Sequence, residues 1–246
     1  MEPRNPNQDL YGLEPIEQPE KTLSFFQKAV SIFIKPVRAF EAIRQKPDVF
    51  LPYCASMLVA ALFSFITMEL MQDYTLETMA TSYQQMGMEI PPGELQSFAR
   101  VTMISTVVAM IAVSVIAPFV KGAIAHLLGL AFEAKTTFKQ SLSVVAYAYL
   151  IMMLGTLIRI PLALMTKNYL FTFSPALLLG DAAPTDPLFS FLSAFDIFTL
   201  WYLVVSVIGF KTVHKLKTWQ AVVVVLLPFA MSLVSALIPF LTGTAV

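Results

Sequence analysis

The chain has 246 residues, of which 57% are hydrophobic and 13% charged, with a formal net charge of zero and a mean hydropathy of +0.72. Soluble domains carry about 25% charged residues, and so few charges could not cover the apolar surface of a water-soluble globule, so lipid is the solvent for much of this chain. Neutrality removes the global basic field that nucleic acid needs. The single cysteine excludes an intrachain disulfide framework and a Cys-rich metal centre.

Residues 1–20 are acidic and contain Pro3, Pro6, Pro15 and Pro19. This stretch has no apolar h-region, so no cleavable signal peptide is expected, and it reads as a disordered, exposed tail. Residues 21–47 form a basic amphipathic segment. Leu23, Phe26, Val30, Phe33, Val37 and Phe40 recur at steps of three and four, which predicts one apolar helical face. Lys21, Lys28 and Lys35 form a separate basic stripe, joined by Arg38. Pro36 predicts a division into two short helices. Such a segment either lies in the membrane interface or packs on the protein's own surface.

The remainder, residues 48–246, reads as an all-α polytopic domain. Five stretches reach the roughly 20 residues a span requires, at about 49–70, 101–130, 141–165, 188–210 and 219–241. Pro118 removes a backbone donor inside the second, where a kink is expected. Cys54, within the first, is expected to be a buried structural thiol. Residues 71–100 and 166–189 read as connections, the latter apolar enough for a short interfacial helix or hairpin. Lysine and arginine concentrate before the first span, at Lys135 and Lys139, and at Lys211, Lys215 and Lys217, while the alternate connections are poor in base. That bias predicts a cytoplasmic N-terminus and a C-terminus on the far side. A bacterial inner membrane fits the short loops.

Three stretches carry a resemblance to a known family. Lys35-Pro36-Val37-Arg38-Ala39-Phe40-Glu41-Ala42-Ile43, followed by Lys46-Pro47, resembles the start of the prokaryotic branch of the Yip (Ypt/Rab-interacting protein) domain family. So do Lys135-Thr136-Thr137-Phe138-Lys139-Gln140-Ser141-Leu142, leading to Val144-Val145-Ala146-Tyr147, and Phe195-Asp196-Ile197-Phe198-Thr199-Leu200-Trp201. The pattern covers about residues 25–240. Asp9-Leu10-Tyr11-Gly12 is similar to the Asp-Leu-Tyr-Gly-Pro motif of eukaryotic members, with Leu13 where they have proline. The resemblance implies five spans and a non-enzymatic role. Eukaryotic members act as membrane-embedded partners of Rab-type GTPases and vesicle factors, whereas prokaryotic ones have no such pathway.

No catalytic motif, glycine-rich phosphate loop or metal-ligand spacing occurs, and His126 and His214 fit none. No cofactor is therefore expected. A charge within the bilayer costs about 2.5–3.5 kcal/mol on insertion scales, so by default it marks a site. Four polar candidates fall within the spans: Lys121 and His126 on the second, Arg159 on the third and Asp196 on the fourth. Counting from the span ends places Arg159 and Asp196 at similar depth, which predicts an ion pair, either a helix clamp or part of a substrate or ion path. Lys121 is expected to snorkel. His126 is expected to be neutral, as a hydrogen-bonded packing residue or a proton relay, with Tyr147 and Tyr149 as available partners. Ser56, Ala60 and Ser64, and likewise Ala125 and Gly129, form small faces that permit close helix approach.

These features favour a scaffold or adaptor that binds membrane or protein partners through the N-terminal segment. The other class is a small transporter, channel or permease component with Lys121, His126, Arg159 and Asp196 lining a polar path. The partners expected are the lipid bilayer and either a second protein or a second copy of the chain.

Overall fold

The computed structural model describes residues 23–88, 91–180 and 187–241. The acidic tail and Lys21 lie outside these. All regular elements among the described residues are helices: α1 (Phe25–Ile34), α2 (Pro36–Gln45), α3 (Phe50–Ile66), α4 (Met68–Gln85), α5 (Pro92–Ala131), α6 (Phe138–Thr166), α7 (Pro187–Ser193), α8 (Ile197–His214) and α9 (Thr218–Leu241), with a 3-10 turn at Pro175–Leu179. Four of them are long and apolar enough to cross a membrane, and α3 with α4 makes a fifth if that pair, bent by 63°, counts as one span. The chain is an all-α polytopic membrane protein.

α6 is the central helix. It packs against α3, α5 and α8, and its residues Ser141 to Ala148 are all buried. Its start is fixed by a capping box, in which Thr137 Oγ1 accepts from the Gln140 amide and Gln140 Oε1 accepts from the Thr137 amide. Gln140 also donates from Nε2 to the Arg44 carbonyl at 3.1 Å, which ties the end of α2 to the start of α6. α1, α2, the α5–α6 connection and the end of α8 thus gather at one end of the bundle, called here the basic end.

α1 begins with its own capping box, Ser24 with Gln27, and stops at Lys35, before Pro36 at the first position of α2. The predicted division therefore occurs, but the predicted apolar face does not survive it. Phe40 is fully buried and Phe33 packs on the core, while Phe26 (77% exposed), Val30 and Val37 point outward together with Ile34. The reason is that α1 turns Lys28 and Ile32 inward. The basic stripe is divided as well: Lys28 is buried, whereas Lys35 and Arg38 are exposed.

Within the stretch 71–100, residues 71–85 and 92–100 are helical rather than a loose connection. Its run of Met, Glu, Leu, Gln and Ala favours helix, and Met71 of α4 is buried, as are Ala99 and Met103 of the packed helix α5. Glu69, Asp73 and Glu77, four apart, stay exposed. α5 has 40 residues, about 60 Å at 1.5 Å per residue, twice the hydrocarbon thickness. A helix of that length exceeds the hydrocarbon core unless it is strongly tilted, and α4 packs against it. Pro118 sits within α5 and leaves the Ser114 carbonyl without its usual helical donor. The Tyr53 hydroxyl reaches that carbonyl at 3.5 Å.

The predicted fourth span breaks at residues 194–196 into α7 and α8. The segment before it carries the 3-10 turn as its short helical element. Cys54, expected to be buried, is exposed on α3, because α3 turns Val59 and Phe63 inward instead.

Candidate functional site

Polar side chains collect in three places. The first is the seat of α1. Lys28 is 2% exposed and donates from Nζ to Asp48 Oδ2 at 2.6 Å and to the Lys46 carbonyl at 3.1 Å. The Tyr147 hydroxyl donates to Asp48 Oδ1 at 2.6 Å. Asp48 thus joins a buried ammonium on α1 to a buried phenol on α6. Lys28 is a docking residue rather than a membrane-surface lysine. A lysine that loses its water needs a carboxylate, and Asp48 supplies one from the α2–α3 connection.

The second is a hydrogen-bonded chain between α5, α6 and α8. His126 Nδ1 lies 3.0 Å from Ser141 Oγ, which lies 3.0 Å from His214 Nε2, and His214 Nδ1 lies 3.1 Å from Thr136 Oγ1. Two hydrogen placements satisfy it, with every donor pointing toward His126 or every donor pointing toward Thr136. Gly129 faces this chain, and a Cβ there would stand 2.9 Å from His214 Nδ1. The small face Ala125–Gly129 therefore meets another helix of the same chain. Ser141 resembles a base-flanked nucleophile on paper, but it is 0% exposed, so no substrate carbonyl reaches its Oγ.

Lys121 joins neither group. Its Nζ stands 5.2 Å from the Tyr149 ring centroid and 5.5 Å from that of Tyr202, a cation–π arrangement. Of the two tyrosines expected near His126, Tyr149 serves Lys121 and Tyr147 serves Asp48. His126 itself is partnered by Ser141.

The third place lies toward the other end of α6. Ser141 and Arg159 are 18 residues apart on this helix, about 27 Å along its axis. No ion pair forms between Arg159 and Asp196; the Lys28–Asp48 pair is the only one among the described residues. Asp196 precedes α8 and caps it. Its Oδ1 accepts from the Phe198 amide at 2.9 Å, and its Oδ2 accepts from the Phe173 amide at 3.0 Å and the Thr172 hydroxyl at 3.4 Å. Orphan amides at a helix start compete for a nearby carboxylate, and aspartate is among the best caps. Arg159 instead lays its guanidinium over the Phe63 ring at 4.4 Å, and its Nε is buried with no hydrogen-bond partner among the described residues.

Arg159 also stands where two cavities meet. One, of about 160 Å³ between α3, α5 and α6, is mainly apolar, with Met57, Phe63 and Met110 in its wall. The other, of about 340 Å³ between α6, α8 and the connection before α7, includes Thr172, Ser193 and Asp196. Met152, Thr156 and Arg159 line both.

The four residues singled out within the spans thus form no single line. Asp48, Ser141 and His214 join the polar clusters without having been singled out as sites. A signal existed for each. Asp48 is the one acid between the basic segment and the first span, and the only two histidines both fall toward basic connections.

Comparison with known proteins agrees with the helical architecture. The Yip1 domain family matches residues 30–238, whereas no curated protein and no solved structure matches the chain significantly. The match takes in the second half of α1, α2 to α8 and most of α9, with every polar cluster described above except for Lys28 of the first, and the chain belongs to the Yip1 domain family.

Proposed function

We infer that the protein is a non-enzymatic membrane scaffold or adaptor, which binds membrane or protein partners through its N-terminal helices. The observation that carries this reading is the two-sided character of α1 and α2. Lys28, Ile32, Phe40 and Ile43 anchor the pair on the bundle, while Phe26, Val30, Ile34 and Val37 remain outside beside exposed Lys35 and Arg38. Apolar side chains held outward next to basic ones suit an anionic membrane interface or the apolar face of a partner. The two settings considered for this segment are thus compatible, since one face can dock while the other stays free.

In this reading the protein is a five-span, prokaryotic-type member in a bacterial inner membrane. Its basic end faces the cytoplasm and its C-terminus lies on the far side. A polar transport path is the competing reading. The separation of Lys121, His126 and Arg159 into different clusters favours the scaffold.

Purification of the tagged chain from its native membrane in mild detergent, with mass spectrometry of co-purifying proteins, tests this. A stoichiometric partner is expected, and Phe26→Ser with Ile34→Ser should release it while leaving Lys28 seated. Absence of any such partner, or its retention by the double variant, would overturn the adaptor reading.

A further inference from the structure

We propose that the paired cavities at Arg159 form a binding site for one phospholipid whose headgroup carries both a phosphate and a primary ammonium. The inference is independent of the scaffold reading.

Three buried side-chain polar atoms lack a hydrogen-bond partner among the described residues, and two of them, Arg159 Nε and Ser193 Oγ, belong to walls of the larger cavity. Buried polar atoms are nearly always satisfied, so two orphans among the lining residues leave this part of the fold short of acceptors. Arg159 also brings a positive charge that forms no ion pair among the described residues. Its forked guanidinium suits a phosphate, which can take two parallel hydrogen bonds.

Asp196 faces the same cavity and would repel a purely anionic headgroup. It accepts three hydrogen bonds, whereas a carboxylate has about four lone-pair sites, so it can still take an ammonium donor. An unpaired cation and a carboxylate around one cavity select a ligand that carries both opposite charges. The second cavity supplies the remaining element. It adjoins the first at Met152, Thr156 and Arg159 and is walled by Met57, Phe63 and Met110, a lining that suits part of an acyl chain. Phosphate at Arg159, ammonium at Asp196 and a chain toward Phe63 describe a phosphatidylethanolamine-type lipid. A small soluble zwitterion would use the same two charges without filling the apolar arm.

The test uses the full-length chain, reconstituted in vesicles of phosphatidylethanolamine and phosphatidylglycerol in equal amounts, extracted in mild detergent and examined by native mass spectrometry. Wild type is expected to retain one phosphatidylethanolamine per chain after annular lipid is washed away. Arg159→Gln should lower retention roughly tenfold, as when one charge-assisted contact is lost. Arg159→Lys, which keeps the charge without the fork, should fall between them and guards against misfolding of the glutamine variant. Asp196→Asn, which can still cap α8, should keep binding but lose the preference for phosphatidylethanolamine over phosphatidylglycerol. No retained lipid in wild type, or equal retention by folded Arg159→Gln and Arg159→Lys, would overturn the site. Stabilisation of delipidated wild type by water-soluble glycerophosphoethanolamine as large as that by the diacyl lipid would overturn the lipid as its ligand.

Discussion

Removing the carboxylate that seats α1 should loosen that helix before it loosens the bundle. In Asp48→Asn the Lys28 ammonium stays 2% exposed while its ion-pair partner, 35% exposed in the native protein, becomes neutral. Breaking a fully buried pair costs about 3–5 kcal/mol and an exposed one about 0–1. Because water reaches Asp48, and because the Lys46 carbonyl still accepts from Lys28, the buried figure must be discounted. About 2 kcal/mol results, or roughly a 30-fold shift toward undocked α1. Trp201 provides a local reporter, since Phe33 of α1 packs edge-on against it with centroids 5.7 Å apart. Trp219→Phe removes the one other tryptophan. In that background, detergent-solubilised Asp48→Asn should show red-shifted Trp201 emission and a lower midpoint for the first thermal transition. Lys28→Met should lower it less, because water can still solvate Asp48. The double variant should recover most of the loss, since nothing charged is left buried. If the two single effects simply add in the double variant, the ion pair is not what seats α1.

Further outcomes follow from other contacts. Ser141→Ala leaves a ring nitrogen of His126 and one of buried His214 without their partner, which should cost about 1–3 kcal/mol; an unchanged melting midpoint by circular dichroism would refute the hydrogen-bonded chain. Gly209→Ala puts a Cβ 2.6 Å from Val144 Cγ1 and 2.8 Å from Phe40 Cζ, and overpacking of that kind costs about 1–3 kcal/mol. Gly93→Ala, with nothing within 4 Å of the new Cβ, should be neutral or stabilising by up to about 1 kcal/mol; equal behaviour of the two glycines in thermal melts would contradict the packing.

The helical, lipid-embedded character was plain in the sequence because it rests on long apolar runs, which lipid makes a requirement rather than a preference. Helix ends and faces were harder to read. Asp196 looked like a charge inside a span, since residues 188–210 are apolar on both sides of it. A capping aspartate between two apolar helices gives the same hydropathy trace as a buried charge, and only the break at 194–196 separates them. The N-terminal face failed for a related reason. Periodicity identifies residues that share a side of a helix but not the side that docks, and the inward direction of α1 follows from Asp48, twenty positions after Lys28. The chain through Ser141 is similarly non-local, with 73 residues separating that serine from His214.

The placement of polar groups around α6 also has a physical logic. Ser141 and Tyr147 lie in its first half, where α1, α5, the α2–α3 connection and α8 supply partners, and each forms hydrogen bonds across elements. Arg159 lies beyond Gly155, where Phe198 approaches so closely that a Cβ would stand 2.6 Å from its ring. That contact holds the start of α8 against α6 and brings its cap, Asp196, into the wall of the same cavity as Arg159 without joining the two. Had the charges met, they would have neutralised each other and left a closed seam. Held apart by the capping bonds of Asp196 and the stacking of Arg159 on Phe63, they keep a charged cavity inside an apolar bundle. Both charges are half-buried in this wall, and a charge partly removed from water gains from a counter-charge, so a molecule carrying both opposite charges would stabilise the bundle.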